Sequence, residues 1–196
     1  MTDPANPPAT IRMLGAAEAA AARDALAALL VDAVAHGASV NFMAGFTQAA
    51  ARDFWDGQFP GIAAGARLLL VAEAGPDLVG CVVLSFAPQP NAPHRAEIGK
   101  MLVHSARRRR GIGRRLLDAA EDAALAAGRR LLLLDTEAGS AGEMLYRRCG
   151  WCVIGSVPDH AFTPDGRLAA TTMFYKNLAG RVTQSAAAPP HPAAAP

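Results

Sequence analysis

Apolar runs of two kinds divide the chain into alternating strands and helices. Short runs rich in branched apolar side chains, bounded by Gly, Pro or Asp, predict strands. Longer segments with apolar positions three or four residues apart predict amphipathic helices. Strands are predicted at residues 10–14, 67–73, 78–86, 98–103, 130–134, 151–157 and 168–175. Helices are predicted at residues 16–35, 48–58 and 141–149, and between Gly113 and Gly128.

The order of these elements predicts an α/β domain whose mixed sheet has helices on both of its faces. Loops rich in Gly, Pro and polar residues are predicted between them, at residues 39–46, 88–93, 135–140 and 158–166. The Pro-rich residues 1–9 and the Ala/Pro-rich residues 179–196 are predicted to be disordered. Residues 10–178 then form one folded domain.

The most informative stretch joins the strand at 98–103 to the helix that follows it. The run Arg107 to Arg110 precedes Gly111 and Gly113, and the helix begins there. The first amides of a helix lack internal acceptors, and the helix dipole adds positive charge at that end. Glycines let a ligand approach these amides, and arginines add donors suited to phosphate oxygens. The stretch therefore predicts a pyrophosphate site.

The helix after Gly113 has one apolar face and one polar face. The apolar face is predicted to consist of Leu116, Leu117, Ala120, Ala124 and Ala127. The acidic residues Asp118, Glu121 and Asp122 are predicted to lie off that face.

Three other interpretations of the arginine–glycine stretch compete with a pyrophosphate site. A solvated basic turn is the simplest, but the glycine spacing and the flanking strand and helix weigh against it. A nucleic-acid site is opposed by the charge balance of 19 Lys+Arg against 17 Asp+Glu. A dinucleotide fingerprint is favoured by Asp135, which follows Gly113 by 22 residues, but Leu116 stands where the third glycine belongs.

The composition of the 196 residues narrows the setting of the protein. No apolar run is long and charge-free enough to span a bilayer, and the segment MTDPANPPA lacks the pattern of a signal peptide. Three cysteines do not suit a secreted disulfide framework. We therefore expect a cytoplasmic protein with neither a membrane nor a nucleic acid as its partner.

Two motifs resemble those of a known family. The pattern Arg108-x-x-Gly111-x-Gly113 is similar to the Arg/Gln-x-x-Gly-x-Gly/Ala signature of the GNAT N-acetyltransferases, which bind acetyl-CoA. The segment from Leu145 to Trp151 resembles the family's Leu-Tyr-x-x-x-Gly-Phe/Trp segment. The likeness spans residues 67–178. The segments HRAEIGKMLV, LLLLDTEAGSAGEMLY and TPDGRLAATTMFYK look most like the tabtoxin-resistance acetyltransferase group.

The resemblance implies a GNAT-like α/β fold in which a mixed, mostly antiparallel sheet is splayed between its fourth and fifth strands. Acetyl-CoA would lie in that gap, and no metal is expected. Leu102 would supply an amide to the thioester oxygen, and Ser140 would replace an asparagine that the family places at Gly139. The residues that the resemblance assigns to acetyl-CoA are Met101, Leu102, Val103, Arg108, Arg109, Arg110, Gly111, Ile112, Gly113, Arg114 and Ser140.

Three side chains are candidates for catalysis of acetyl transfer to an amine. The resemblance places Tyr146 where the family has a tyrosine that faces the thiolate, and a phenol can protonate a thiolate. Asp135 and Glu97 are the two candidates for the base, and Asp135 is slightly favoured. Each carboxylate could instead be structural.

Two residues of the 39–46 loop and one residue of the 48–58 helix are candidates for the acceptor side. We expect the acceptor to be the amine of a small molecule that is amino-acid-like, a toxin or an antibiotic. The resemblance makes Asn41, Phe42 and Trp55 its candidate contacts, although both aromatic residues could simply be packed. The spacing of Cys149 and Cys152 is that of a redox motif, but its position between a helix and a strand favours structural cysteines.

Two other functions and the oligomeric state remain open on the sequence. An NAD(P)-dependent oxidoreductase and a catalytically silent acyl-CoA-binding sensor are the alternatives to an acetyltransferase. A homodimer is as open as a monomer.

Overall fold

The computed structural model describes residues 8–180 and contains seven strands, six α-helices and one short 3-10 helix, Ser105–Arg107, in those residues. The strands are β1 (Thr10–Leu14), β2 (Arg67–Ala74), β3 (Asp77–Phe86), β4 (Arg95–Val103), β5 (Leu131–Glu137), β6 (Cys152–Phe162) and β7 (Leu168–Asn177). The helices are α1 (Ala16–Ala21), α2 (Arg23–Ala35), α3 (Gln48–Asp56), α4 (Phe59–Ala63), α5 (Ile112–Ala126) and α6 (Ala141–Arg148).

The sheet has the strand order β1-β2-β3-β4-β5-β7-β6, and every neighbouring pair except β4 and β5 is antiparallel. Only three residue pairs join β4 to β5, from Arg95–Leu131 to Glu97–Leu133. Beyond these pairs β4 remains paired with β3 as far as Val103, and β5 remains paired with β7 as far as Glu137. The two central strands therefore part after three pairs, and the predicted splayed α/β fold is confirmed.

Two separate hydrophobic clusters cover the two faces of the sheet. Helices α5 and α6 pack on one face, where Leu116, Leu132 and Phe174 are buried. Helices α1 to α4 pack on the other face, where Leu30 and Trp55 are buried. We call these the α5/α6 face and the α1–α4 face.

The predicted helices agree with the structure except in the first third of the chain. The single helix predicted at 16–35 is wrong, because the chain is interrupted at Ala22, whose φ and ψ of −83° and 2° lie outside the helical region. An alanine-rich segment has no side chain that signals such a break. The short helix α4 was missed, although Pro60 in its first turn is a typical start signal.

Two strands extend beyond their predicted ends. Asp135 was predicted to begin a loop, but β5 continues through it to Glu137 because each residue pairs with β7. The loop predicted at 158–166 is also too long, since β6 runs to Phe162 after an irregularity between Val157 and Ala161. An edge strand tolerates proline and a bulge, so Pro158 does not end it.

Helix α5 contradicts one part of the predicted face. Glu121 was predicted to lie off the apolar face, but it is fully buried. Its Oε1 accepts hydrogen bonds from Lys176 Nζ at 2.7 Å and from Trp151 Nε1 at 3.2 Å. The carboxylate is buried because these two donors, both distant in the sequence, compensate for its lost hydration. Ala127, predicted to be on the apolar face, is exposed.

The ends of the domain differ slightly from the prediction. Ala9 was assigned to a disordered terminus, but it is buried and its carbonyl accepts a hydrogen bond from Arg115 Nη1 at 2.5 Å. The rest of the predicted tails, residues 1–7 and 181–196, lies outside the described residues. None of the helices within residues 8–180 is both long enough and apolar enough to cross a membrane.

Candidate active site

The loop between β4 and α5 has an unusual backbone. Arg109 and Gly111 both adopt positive φ angles, 62° and 78°. Gly111 is the N-terminal cap of α5, and a β-carbon there would meet no atom within 4 Å. Residues in this left-handed conformation turn successive N–H groups towards one side of the chain. The loop therefore presents its main-chain donors outward.

Six consecutive amides in this loop, from Arg109 to Arg114, donate to no acceptor among residues 8–180. The amides just before them are used within the protein, as in the bond from Ser105 N to Asp32 Oδ2 at 2.7 Å. A row of free amides at the positive end of a helix is suited to phosphate oxygens. The predicted pyrophosphate site thus has the donors it needs, and six of the eleven predicted cofactor residues lie in it.

Gly113 has a packing role in addition to its free amide. A β-carbon on Gly113 would lie 3.0 Å from Leu145 Cδ2 and 3.8 Å from Val103 Cγ2. This position faces the protein, so the missing side chain lets α5 approach α6 closely. The close approach packs Leu145, which precedes Tyr146 in α6, against the start of α5.

The side chain of Arg108 stabilises the loop from within the protein. Its Nε donates to the carbonyl of Val103 at 3.2 Å, and its Nη1 donates to the carbonyl of His36 at 3.3 Å. Of the other predicted arginines, Arg114 lies 3.7 Å from Asp118 on the exposed surface, and Arg110 lines a pocket of about 250 Å³ beside Ala9. Arg108 therefore acts as a positioning residue in the free protein.

Asp32 holds the start of the same loop against α2. Its two carboxylate oxygens accept hydrogen bonds from the Ser105 amide and hydroxyl, both at 2.7 Å. Burial acts to raise the pKa of Asp32, but the Ser105 bonds and the nearby His104 and His36 outweigh it and lower the pKa. The carboxylate therefore stays ionised and keeps the loop attached to α2.

Residues 101–103 form the open side of β4, after its pairing with β5 ends. The amide of Leu102 lies beside the buried thiol of Cys81 in β3, on the opposite side of the strand from the gap. The carbonyl of Val103 already accepts the bond from Arg108. Because this amide is directed towards Cys81, the geometry does not favour Leu102 as the donor to the thioester oxygen, and that role stays a prediction.

Tyr146 lies in the cluster on the α5/α6 face and is only 6% exposed. Its ring centroid is 5.9 Å from that of Trp151 and 6.0 Å from that of Phe174. Among residues 8–180 its hydroxyl has no hydrogen-bond partner. Burial, and then the charge of Asp135, raise the pKa of Tyr146, so the phenol stays protonated at neutral pH.

The two candidate bases lie on the opposite face of the sheet from Tyr146. Glu97 in β4 pairs with Leu133 in β5, and Asp135 follows Leu133 by two residues in β5. Side chains two residues apart share a face, and the intervening Leu134 belongs to the cluster on the α5/α6 face. Glu97 and Asp135 therefore face the α1–α4 side, and both are exposed.

Lys100 is a site residue that the sequence analysis missed. It lies on β4 at a bulge between the pairs Val83–Gly99 and Cys81–Leu102, with a positive φ of 47°. Its Nζ donates to the carbonyl of Val40 at 3.2 Å. Burial lowers the pKa of Lys100, although Asp135, Cys81 and Glu97 act in the opposite direction. A single charge in the apolar run 98–103 was the signal that could have identified it.

The three predicted acceptor contacts fall in different environments. Phe42 stacks on Phe46 with centroids 4.1 Å apart and lies beside Lys100, in the loop that faces β4. Asn41 is exposed and adopts a positive φ of 71°. Trp55 is fully buried, so the suggestion that it contacts the acceptor is wrong and its role is packing.

The start of α6 is fixed by hydrogen bonds. Ser140 caps the helix by accepting from the Glu143 amide at 3.1 Å, so its hydroxyl is already engaged. A β-carbon on Gly142 would lie 3.0 Å from Thr136 Oγ1 and 3.6 Å from Tyr146 Cε2. Glycine at this position therefore lets the helix carrying Tyr146 pack directly against β5.

A cavity of about 370 Å³ lies beyond the wide end of the gap. The C-terminus of α2, Glu137 at the end of β5, and the β6–β7 turn line it. The loop before α3 closes one side, because the Ala44 amide donates to the carbonyl of Pro164 at 2.9 Å. Glu97, Asp135 and Tyr146 are not part of its lining, so the cavity is an approach to the gap rather than its centre.

Two further features carry no assigned chemistry. Cys149 and Cys152 are both free, one half-buried and one exposed. Within residues 8–180, no three His, Cys, Asp or Glu side chains are grouped so that they could hold a metal ion.

Known proteins share this architecture. The yncA protein of Salmonella typhimurium, solved with acetyl-CoA, is 20% identical and superposes with a TM-score of 0.71 over 91% of this chain and 99% of its own. A ribosomal-protein-alanine N-acetyltransferase from Brucella melitensis is 26% identical, with a TM-score of 0.70 over 86% and 99%. An N-acetyltransferase from Staphylococcus aureus Mu50 is 19% identical, with a TM-score of 0.67 over 87% and 98%.

The sequence itself provides the family assignment. The model of the acetyltransferase (GNAT) family matches residues 31–151. This match is longer than half of the chain and includes β4, the amide-rich loop, α5 and Tyr146. The protein therefore belongs to the acetyltransferase (GNAT) family.

Proposed function

We propose that this protein is an acetyl-CoA-dependent N-acetyltransferase that acetylates the amine of a small molecule by direct attack on the thioester. The observation that carries the proposal is the row of six unpaired amides in the loop that follows β4, whose last residues have no partner in β5. Within the family we propose the tabtoxin-resistance group, supported by the three similar segments and by the Gly139–Ser140 pair.

The chain's residues fit the two ends of the acetyl donor. The amides of Arg109 to Arg114 would bind the diphosphate, and Arg108 would keep the loop in place through Val103 and His36. The open side of β4 would bind the pantetheine arm by main-chain pairing, as an added strand does. The relative from Salmonella typhimurium was solved with acetyl-CoA, which supports this choice of donor.

The two faces of the gap divide the chemistry between them. Bound acetyl-CoA supplies a thioester carbon to which the amine nitrogen forms a C–N bond while the C–S bond breaks. Asp135 or Glu97, on the α1–α4 face, accepts the proton that the amine loses, directly or through a water. Tyr146, on the α5/α6 face, donates its proton to the departing thiolate, so acid and base do not compete for one position.

The environment of Tyr146 suits this role. A raised pKa weakens the phenol as an acid, but it keeps the hydroxyl protonated and ready to donate. The same apolar surroundings raise the proton affinity of a thiolate, because burial disfavours every anion. The hydroxyl needs no rearrangement of a protein hydrogen bond before it donates.

The fold argues against the oxidoreductase, but it does not distinguish an acetyltransferase from a silent sensor. An oxidoreductase with a dinucleotide fingerprint would need a parallel, doubly wound sheet, whereas only β4 and β5 are parallel here. A silent acyl-CoA-binding sensor has the same fold and differs only in turnover. Release of free CoA thiol across a panel of small amines separates an acetyltransferase from a sensor. Binding of acetyl-CoA without thiol release for any amine would refute the proposal.

Conservative substitutions test the two faces separately. Tyr146→Phe should lower kcat by about 10²- to 10⁴-fold while leaving the Kd for acetyl-CoA within about threefold. Asp135→Asn and Glu97→Gln, assayed as pH profiles, identify the base as the variant that loses the ascending limb of kcat/KM. Full turnover by Tyr146→Phe would remove the tyrosine from the mechanism.

A further inference from the structure

Lys100 is a cation on the α1–α4 side of the gap to which the proposed acetyl transfer gives no task. We propose that Lys100 binds a carboxylate of the acceptor, so that the substrate is an amine that also carries an acid group, as an amino acid does. This inference rests on the proposed function and adds to it a residue that determines specificity.

A bulge in β4 and a positive φ angle set the direction of the Lys100 side chain. Lys100 and Met101 together oppose the single residue Val82 in β3, which makes a bulge in β4. The φ of 47° at Lys100 is rare for a residue with a long side chain and is maintained only where the surrounding structure enforces it. A bulge next to a functional site changes the direction of a side chain, and this one directs Lys100 to the same side as Glu97.

The ammonium of Lys100 has donors to spare. An ammonium carries three N–H donors, and the described residues use one of them, in the bond to the carbonyl of Val40. No carboxylate among residues 8–180 lies within ion-pair distance of Nζ. Two donors of a half-buried cation therefore remain for a ligand.

The aromatic rings beside Lys100 would strengthen an ion pair between its ammonium and a ligand carboxylate. Nζ lies 5.5 Å from the ring centroid of Phe42 and 5.2 Å from that of Phe54. The two rings limit water on their sides, and an ion pair gains strength where water is scarce. The same rings would pack against the side chain of the acceptor, so Phe42 keeps its predicted place in the acceptor site.

The charges on this face match those of an amino acid. Glu97 and Asp135 are anionic and suit the ammonium form in which an amine arrives, and Lys100 suits a carboxylate attached to the same small molecule. Both carboxylates lie close enough to Lys100 to oppose the lowering of its pKa by burial. The three side chains therefore form a compact pattern of two negative charges and one positive charge beside the gap.

The test compares an amino acid with the amide of the same amino acid, which keeps the shape and removes the negative charge. In wild type the amino acid should have the lower KM. Lys100→Met should lower the ratio of kcat/KM for the acid to that for the amide by about tenfold to a hundredfold, the range for one charge-assisted hydrogen bond. Lys100→Arg should keep the ratio within about tenfold, and the matched control Arg148→Met, which removes an exposed cation on α6, should not change it.

The ratio cancels the different intrinsic reactivities of the two amines, because the same pair is used for every variant. Acetyl-CoA affinity and thermal unfolding verify that each variant is folded. The comparison of the KM values for the acid and the amide in wild type does not depend on any variant. An amide that has an equal or lower KM in wild type, or an equal loss for both acceptors in Lys100→Met, would overturn this inference alone. A failure to acetylate any amine would overturn the proposed function and this inference with it.

Discussion

Substitution of Gly111 by Ala tests whether the loop between β4 and α5 must keep its left-handed turn in order to bind CoA. An L-residue at a φ of 78° costs about 1–2 kcal/mol relative to Gly. A β-carbon there would meet no atom within 4 Å, so the cost is purely conformational. The exposed loop of Gly111→Ala can relax in the free protein, and binding of the diphosphate must then restore the turn. We expect the Kd for CoA to rise by about 5- to 30-fold, which is 1–2 kcal/mol.

Two comparisons make this result specific. Gly111→Asn is the matched control, because Asn tolerates the left-handed region, and it should stay within about threefold of wild type. Acetyl-pantetheine lacks the diphosphate, so its kcat/KM should be the same for wild type and Gly111→Ala. Calorimetric titration measures the Kd values, and thiol release measures kcat/KM. If Gly111→Ala bound CoA as tightly as wild type, or lost acetyl-pantetheine turnover to the same degree, the loop would not act through its backbone.

Two further predictions concern buried charges. Glu121→Ala leaves the Lys176 ammonium and the Trp151 indole without their shared partner, and it should lower the unfolding free energy by about 3–5 kcal/mol. At about 2–4 °C per kcal/mol, Tm should fall by roughly 6–20 °C in calorimetry. The double variant Glu121→Leu with Lys176→Met, which removes both charges, should recover much of this loss. A fall in Tm of less than about 2 °C for Glu121→Ala would contradict the reasoning. For Asp32, whose folded pKa is lowered, the stabilisation over Asp32→Asn should be complete above the unfolded pKa of about 3.9 and vanish as pH falls further. Denaturant titrations from pH 3 to 7 measure this difference, and a gap that did not vary with pH would refute the role of Asp32.

The parts of the fold that were predictable depend on neighbours in the sequence. The strand, the glycines and the helix after them follow from local periodicity and backbone preference, and β4, Gly111 and α5 have the expected order. The same holds for the hairpin at Gly75, where the φ of 62° needs glycine. Local signals were sufficient for these elements because the period of the apolar positions and the backbone preference of glycine can both be read from neighbouring residues.

The parts that were missed depend on distant partners. Glu121 is buried because Lys176, 55 residues away, compensates its charge, and the charge alone indicated exposure. Lys100 reaches the α1–α4 side through a bulge that exists only when β4 pairs with β3. The contacts of Ser140 with Glu143 and of Gly113 with Leu145 were also missed, because no motif reveals them.

The separation of the two hydrophobic clusters has a consequence for how such a protein can change over evolution. The proposed acid Tyr146 and helix α5 behind the amide-rich loop belong to the α5/α6 face, whereas the proposed acceptor contacts belong to the α1–α4 face. Mutations that reshape the loop before α3 can therefore alter which amine is accepted without disturbing the core behind the coenzyme. The polar links from Asp32 and His36 are the exceptions, and an engineer who redesigns the acceptor range should leave them intact.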